Sequence, residues 1–207
     1  MKKWTAVLLA MLLLCSSALA EFNTDALKTD ADLYAFTQFG TVDTVYRAVN
    51  QPYIGQVDEA FEGGLVAYVD YVTMPDLEAT LLRLMISTEV FDLPLGAQEV
   101  RLTVGGKRYT LPVSREEAEY DGLYMEDFTA CLVGEGLNLL RAIAQQKQDD
   151  PIPVELLSLG ETVFSGMVII PGEEAANLHD RFVDLGGKTQ GLKKLEELFP
   201  CKAEKVK

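Results

Sequence analysis

The clearest alternation of apolar and polar residues lies between Val100 and Val113, in the segment VRLTVGGKRYTLPV. Gly105 and Gly106 in its centre can supply the positive φ angles that a two-residue hairpin loop requires. The cross-strand pairs around this loop are then Val104 with Lys107, Leu102 with Tyr109, and Val100 with Leu111. Because the apolar partners fall on one face, and a two-stranded ribbon is not stable alone, the segment predicts a β-hairpin that packs against a core.

Two further strands are predicted before this hairpin. Residues 65–74, LVAYVDYVTM, are rich in valine and tyrosine and are followed by Pro75. Residues 77–88 fit either an amphipathic helix or a strand buried on both faces, and their β-rich end, Ile86-Ser87-Thr88, favours the strand. Together with the central hairpin, these strands predict a four-stranded antiparallel meander over residues 65–113.

A second hairpin and several helices complete the predicted elements. Residues 153–170 alternate on either side of Gly160-Glu161 and predict the hairpin. Apolar residues at helical spacing predict an N-terminal helical part within 21–62, a long helix over 123–147, and C-terminal helices over 173–200. Gly134 and Gly136 lie inside the long helix, where each costs about 1 kcal/mol relative to alanine, and they mark a break or the close approach of a strand. With no repeat and no low-complexity linker, we predict one α+β domain over residues 21–207, mainly antiparallel sheet packed by helices.

Residues 1–20 have the pattern of a secretory signal peptide. Lys2-Lys3 precedes an apolar run over residues 6–14, and Ala18-Leu19-Ala20 is a small-x-small cleavage site. The run is shorter than the about 20 residues that a membrane span requires, and no second long apolar stretch follows it. We therefore expect an exported protein, secreted or periplasmic, that begins near Glu21 and has no transmembrane segment.

The charge of the chain argues against nucleic acid as a partner. Removing residues 1–20 takes away two lysines and no acid, so the formal charge changes from −14 to −16. Affinity for phosphates depends on clustered lysine and arginine, which this composition does not favour. A strongly acidic surface instead keeps an exported domain soluble, or attracts cations and basic partners.

The cysteines predict a covalent link in the mature chain. Cys15 lies in the signal peptide, where a lipid-anchored alternative would use it, but Leu14 is bulky where a small residue is expected. Cys131 and Cys201 remain, and an even pair in an exported protein predicts a disulfide. Such a bridge would close a long loop, worth on the order of 4 kcal/mol in the chain-entropy model. The alternative is two unpaired thiols, with Cys131 as a small apolar residue.

Motifs for the common enzyme classes are missing. The only histidine is His179, so a multi-histidine zinc site cannot form within one chain, and any Ser-His or Cys-His mechanism must use this residue. His179 lies at the edge of an amphipathic stripe, which is typical of a partly exposed helix residue. The chain also has no G-x-S-x-G elbow and no complete phosphate-binding loop.

The acidic segment 115–128, REEAEYDGLYMEDF, contains the candidate site. Its first half resembles an EF-hand calcium loop, with oxygen ligands at alternate positions and Gly122 at the sixth, but Phe128 stands where the bidentate glutamate should be. The candidate residues for ligand or metal contacts are Glu117, Glu119, Asp121, Glu126 and Asp127.

The composition and the missing motifs favour a non-catalytic binding or interaction protein of the cell envelope. We expect its partner to be an envelope protein or an extracellular ligand, and we expect no cofactor apart from calcium in the acidic segment. One alternative is a carboxylate-dependent hydrolase acting on glycans, which would need two carboxylates about 5 to 9 Å apart across a cleft. The other is a calcium-stabilised adhesion module.

Overall fold

The computed structural model describes residues 22–37, 42–48, 65–91, 93–146, 150–187 and 193–206. The strands in these ranges are β1 (Leu33–Thr37), β2 (Thr44–Ala48), β3 (Leu65–Met74), β4 (Ala79–Phe91), β5 (Glu99–Val104), β6 (Lys107–Pro112), β7 (Ser114–Tyr120), β8 (Leu123–Leu132), β9 (Ile152–Ser158), β10 (Glu161–Val168) and β11 (Lys202–Lys205). The helices are α1 (Thr24–Lys28), α2 (Glu135–Ala144), α3 (Gly172–Asp184) and α4 (Lys193–Leu198), with a 3₁₀ turn at Pro75–Leu77. The predicted signal peptide, including Cys15, lies outside the described residues.

The strands form two antiparallel sheets. A six-stranded sheet has the order β1-β2-β3-β4-β8-β7, and a five-stranded sheet has the order β10-β9-β5-β6-β11. One apolar cluster joins a face of each sheet to helices α2 and α3. We call the face of the six-stranded sheet in this cluster its inner face and the opposite face its outer face. The architecture is one α+β domain dominated by antiparallel sheet, as the sequence predicts.

The central hairpin has the predicted register. Strands β5 and β6 pair Val104 with Lys107, Leu102 with Tyr109, and Val100 with Leu111. Gly105 and Gly106 form its turn with φ angles of 57° and 72°. Five apolar side chains of this hairpin, Val100, Leu102, Val104, Tyr109 and Leu111, are buried in the main core.

The predicted meander over residues 65–113 is wrong, although all four of its strands are present. Strand β4 pairs with β3 and β8, whereas β5 pairs with β6 and β9, so the two halves of the predicted meander lie in different sheets. The reason is burial on both faces of β4, whose dense apolar run needs a central position. That position is completed by β8, which the sequence pattern assigned to a helix.

The predicted long helix over 123–147 is also wrong in its first half. Residues 123–132 form strand β8, and helix α2 begins only at Glu135. Phe128 and Leu132 are four residues apart, a spacing that fits one face of a strand as well as one face of a helix. Gly134, with a φ angle of 52°, separates the two elements, which is one of the two roles that its position in the pattern had indicated.

The described N-terminal residues, 22–37 and 42–48, contain less helix than predicted. Helix α1 covers only residues 24–28, where the Asn23 side chain accepts a hydrogen bond from the Ala26 amide at 3.3 Å. The next segments are strands β1 and β2, which pair with each other and with β3. Val45 and Tyr46 are adjacent and both buried, because both faces of β2 are covered. A helix pattern also contains adjacent apolar positions, at i+3 and i+4, so a strand buried on both faces can be mistaken for a helix.

The C-terminal elements agree better with the predictions. Strands β9 and β10 form the second hairpin, which turns at Leu159-Gly160, one residue earlier than predicted. Helices α3 and α4 lie within the predicted helical range 173–200 apart from the first residue of α3. The short strand β11, which pairs with β6, was not predicted because KAEK has no strand pattern.

A substitution at Gly134 tests the break between β8 and α2. A Cβ atom there would lie 2.9 Å from the Glu196 Oε1 atom, and the backbone conformation itself favours glycine. Gly134→Ala should therefore lower the free energy of unfolding by about 1 to 3 kcal/mol. Urea unfolding measures the change, and a second substitution, Glu196→Ala, should recover only its steric part. Gly136→Ala is the matched control, since its Cβ would meet only ordinary contacts at 3.5 to 3.6 Å.

Candidate functional site

The acidic segment forms a β-hairpin instead of a calcium loop. Glu117 and Glu119 lie in β7, an exposed edge strand, and Asp121 lies in the turn to β8. Glu117 and Glu119 share one face of β7, but strand pairing from Ser114 to Leu132 replaces the loop that an EF-hand wraps around calcium, so the EF-hand resemblance fails. Among the residues that the structure describes, no three side chains of histidine, cysteine, aspartate or glutamate are grouped for metal binding.

Glu126 has a structural role inside the protein. Its fully buried carboxylate accepts hydrogen bonds from the backbone amides of Leu95 and Gly96, at 2.6 and 3.0 Å. Arg115 Nη1 donates to the same carboxylate at 3.2 Å and lies 3.3 Å from Glu117 Oε2. These contacts fasten the loop before β5 to the inner face of β8, so Glu126 is not available to a ligand.

Asp127 points to the other face. Its Oδ1 atom accepts a hydrogen bond from Ser87 Oγ at 2.5 Å. Glu116 is directly opposite Asp127 in the register of β7 and β8. Of the five predicted site residues, Asp127 is therefore the one that the hairpin directs to the outer face.

The outer face also carries a buried ionic triad of Arg47, Asp70 and Arg83. Arg83 donates from Nε and Nη2 to the two oxygens of Asp70 at 2.7 and 2.8 Å. Arg47 Nη2 donates to Asp70 Oδ2 at 2.9 Å. The guanidinium carbon of Arg47 also lies 4.0 Å from the ring centroid of Tyr68 and 5.0 Å from that of Phe36, in cation–π contact. The Asp70 side chain has no exposed surface, so the triad depends on complete mutual pairing.

A cavity of about 470 Å³ lies beside this triad. Strands β7 and β8 and helix α4 border it, and its size is in the range of small-molecule sites. Its polar lining consists of Asp43, Arg83, Ser114, Arg115, Glu116, Thr129 and Cys131. Its apolar lining consists of Val72, Met74, Pro112, Val113, Leu198 and Phe199. We call it the outer-face cavity.

The carboxyl group of Asp43, in the lining of the outer-face cavity, has a raised pKa. Partial burial raises the pKa of Asp43, the neighbouring carboxylate of Asp76 raises it further, and Arg83 acts in the opposite direction. Burial also raises the pKa of the Cys131 thiol to about 12, so this thiol is neutral at physiological pH. Cys131 is therefore a poor nucleophile, because the thiolate is the reactive form.

The predicted disulfide between Cys131 and Cys201 is not formed. Both residues are free thiols. Cys131 belongs to a small apolar cluster on the outer face with Val133 and Leu195, whereas Cys201 packs against the main core. The even count of cysteines misled the prediction, because each thiol is covered by a different apolar cluster.

Thiol labelling checks this correction. In the chain from Glu21 onward, Cys131 and Cys201 should react with iodoacetamide far more slowly than a solvent-exposed thiol. The reason is that burial raises the pKa of each to about 12. Denaturant without reductant should then release two reactive thiols per chain. A chain that shows no reactive thiol until reductant is added would contradict the structure and restore the disulfide.

His179 is committed to contacts between helices. Its Nε2 atom accepts a hydrogen bond from Arg141 Nε at 3.1 Å, and its Nδ1 atom lies 3.1 Å from Asp180 Oδ1. His179 is buried, contrary to the partly exposed position expected from the sequence. It does not line the outer-face cavity, which has Cys131 in its wall. A Cys131–His179 catalytic pair therefore has no support.

The residues of the triad, and those of the cavity outside the acidic segment and Cys131, were missed at the level of sequence. Asp70 and Arg83 stand in the middle of otherwise apolar strands, and such a charge is a signal for a buried pair. Asp43, Ser114 and Thr129 carry no comparable signal, because only the folded six-stranded sheet and α4 bring them to one cavity.

No protein-family model, curated protein or solved structure matches this chain. Within the described ranges, the helices are too short or too polar to cross a membrane. Any function must therefore be inferred from the chemistry of the site.

Proposed function

We propose that this protein is an exported binding protein of the cell envelope, secreted or periplasmic, which holds an extracellular ligand in the outer-face cavity and has no catalysis of its own. The outer-face cavity is the observation that supports this proposal. It joins charged groups and hydroxyls on the sheet to an apolar wall from Met74, Leu198 and Phe199. A few polar groups on a largely apolar concave surface are the usual lining of a ligand site.

The state of the nucleophilic groups also supports binding over catalysis. Cys131 in the cavity wall is held neutral by burial, and both ring nitrogens of His179 are engaged elsewhere. Nucleophilic catalysis by a cysteine needs a thiol with a lowered pKa, or a base such as histidine within hydrogen-bond reach of the thiol. The described part of the chain does not bring the two together.

Thermal unfolding of the chain from Glu21 onward tests the proposal against a panel of amines, carboxylates, sugars and short peptides. A ligand at 100 times its dissociation constant adds about 2.7 kcal/mol to the free energy of unfolding and raises the midpoint by several degrees. Ser114→Trp should abolish that shift, because Ser114 lines the cavity. Ala118→Trp is the matched control, on the same face of the same strand but outside the cavity. A shift that survives Ser114→Trp would place the ligand elsewhere and contradict the proposal.

A second candidate function is a carboxylate-dependent hydrolase acting on glycans. The observation that favours it is the direct opposition of Glu116 and Asp127 on the face that carries the cavity. Directly opposed strand residues have Cβ atoms about 5 Å apart, which is near the carboxylate separation of retaining glycosidases. Hydrolysis of envelope glycans that is lost in both Glu116→Gln and Asp127→Asn would support this candidate over a binding protein. Ligand binding without turnover would exclude it.

A further inference from the structure

Most lysine and arginine side chains in the described part of the chain have an ion pair or a side-chain hydrogen bond within the protein. The described cations without such a partner are Lys107, Arg108, Lys194, Lys202 and Lys205. Four of these five lie together, on strands β6 and β11 at one end of the five-stranded sheet. We call Lys107, Arg108, Lys202 and Lys205 the basic edge.

The register of β6 and β11 places like charges side by side in the basic edge. Lys107 and Lys205 are direct cross-strand partners on one side of the sheet. Arg108 and Lys202 are diagonal neighbours on the other side, where Glu204 lies directly opposite Arg108 and offsets part of the charge. All four cations are exposed. Like charges that face each other across two strands are destabilising, so a carboxylate from outside would stabilise this end of the sheet.

Strand β11 also presents backbone groups that can pair with a further strand. It is the last strand in the order of its sheet, and among the described strands it pairs with β6 alone. The Val206 amide donates to the Gly106 carbonyl at 3.0 Å, so these two residues form a hydrogen-bonded pair of the ladder. Because hydrogen-bonded pairs alternate along antiparallel strands, Ala203 and Lys205 direct their amide and carbonyl groups away from β6. Another extended segment can therefore add to the sheet at this edge.

We infer that the basic edge binds an extended acidic segment of another protein, which adds to the five-stranded sheet as a further strand beside β11. Backbone pairing at Ala203 and Lys205 gives affinity in this mode of recognition, and the cations select carboxylates. Lys202 and Lys205 are three residues apart and lie on opposite sides of the sheet, so the segment needs two acidic residues at the same spacing. The inference goes beyond the proposed function, since the basic edge is separate from the lining of the outer-face cavity.

Two peptides of equal charge and composition test this spacing. In acetyl-TEVTEVT-amide the glutamates are three residues apart and reach both sides of the sheet, whereas in acetyl-TEVETVT-amide they are two residues apart and reach one side. The first peptide should bind at least about threefold more tightly, because it makes one more ion pair with β11. NMR titration of the ¹⁵N-labelled protein at low ionic strength measures both affinities. Equal affinities, or no binding of either peptide, would contradict the inference.

Hydrogen exchange distinguishes strand addition from charge attraction alone. A saturating amount of the TEVTEVT peptide should slow exchange of the Ala203 and Lys205 amides by at least about fivefold, whereas the Glu204 amide, which is directed toward β6, should change little. The fully N-methylated TEVTEVT peptide keeps both carboxylates but has no backbone donor, so it should bind about tenfold more weakly or worse. Unchanged exchange at Ala203 and Lys205, or equal binding of the methylated peptide, would overturn the inference.

Charge reversal in the basic edge provides matched variants. Lys202→Glu and Lys205→Glu should each weaken binding of the TEVTEVT peptide by about fivefold or more, since each replaces an attraction with a repulsion. Lys194→Glu is the control, because Lys194 is an exposed lysine of α4 outside the basic edge, and it should keep the affinity within about twofold. Equal losses in all three variants would mean that the peptide responds to net charge alone, and the inference would be wrong.

Other occupants of the basic edge would give different results. Tighter binding of inorganic tripolyphosphate than of the TEVTEVT peptide would overturn the inference in favour of a phosphate-bearing partner. Dimers of the protein alone in sedimentation at low ionic strength, if Lys205→Glu abolishes them, would assign the edge to a second copy. Ser114→Trp, which alters the outer-face cavity, should leave peptide binding unchanged. The proposed function and the peptide site can therefore each fail without the other.

Discussion

Asp70→Ala should lower the free energy of unfolding by about 3 to 5 kcal/mol, because it leaves Arg47 and Arg83 partly or fully buried without their counter-charge. The Asp70 and Arg83 side chains are 0% and 3% exposed, so water cannot replace the lost carboxylate. For a domain of this length, the midpoint of thermal unfolding should fall by roughly 10 °C. Denaturant unfolding with a full baseline on both sides measures the change.

Two further variants isolate the cause of this loss. Asp25→Ala removes an exposed ion pair with Lys28 and should leave the midpoint unchanged within error. Replacing Arg47, Asp70 and Arg83 together with leucine should be less harmful than Asp70→Ala alone, since no buried charge is then left unpaired. If Asp70→Ala costs no more than the surface control, the triad is not desolvated in solution and this account of the outer face is wrong.

Glu126→Ala should cost about 2 to 5 kcal/mol, for a different reason. It leaves the buried amides of Leu95 and Gly96 without an acceptor and removes the partner of Arg115. The loss should be local as well as global, so hydrogen exchange at Leu95 and Gly96 should accelerate more than exchange in the β5–β6 hairpin. Glu126→Gln keeps one carbonyl acceptor and should have an intermediate effect.

Glu119→Ala is the matched control for Glu126. Both residues lie in the β7–β8 hairpin, but Glu119 is exposed on the edge strand and should be tolerated. Similar unfolding curves for Glu126→Ala and Glu119→Ala would show that the loop before β5 is held by other contacts. They would also return Glu126 to the list of residues available to a ligand.

The predictable parts of the fold are those in which the local sequence allows only one turn and one strand register. Gly105-Gly106 determines both the turn and the register of β5 and β6, so every pair of that hairpin could be named from the sequence. The assignment of β4 as a strand was correct, but β8, one of the two strands that pair with it, was predicted as part of a helix. Pairing between β4 and β8 joins segments about forty residues apart, and local patterns carry no information on such contacts.

The candidate site shows the same limit. The acidic segment was recognisable from composition, but the side to which each carboxylate points depends on the strand alternation that a helix prediction had hidden. The buried Glu126 therefore makes structural contacts inside the protein, whereas its neighbour Asp127 lies on the outer face. The cavity itself is lined by six separate stretches of the chain that meet only in the folded domain.

Methyl NMR of the chain from Glu21 onward, with ¹³C-labelled methionine, tests the central claim most directly. Met74 lines the outer-face cavity, whereas Met167 is exposed on β10 at the edge of the other sheet. Titration with a ligand that stabilises the protein should shift the Met74 methyl resonance with saturation and leave the Met167 resonance in place. An unmoved Met74 resonance at saturating ligand would contradict the assignment of the outer-face cavity as the binding site.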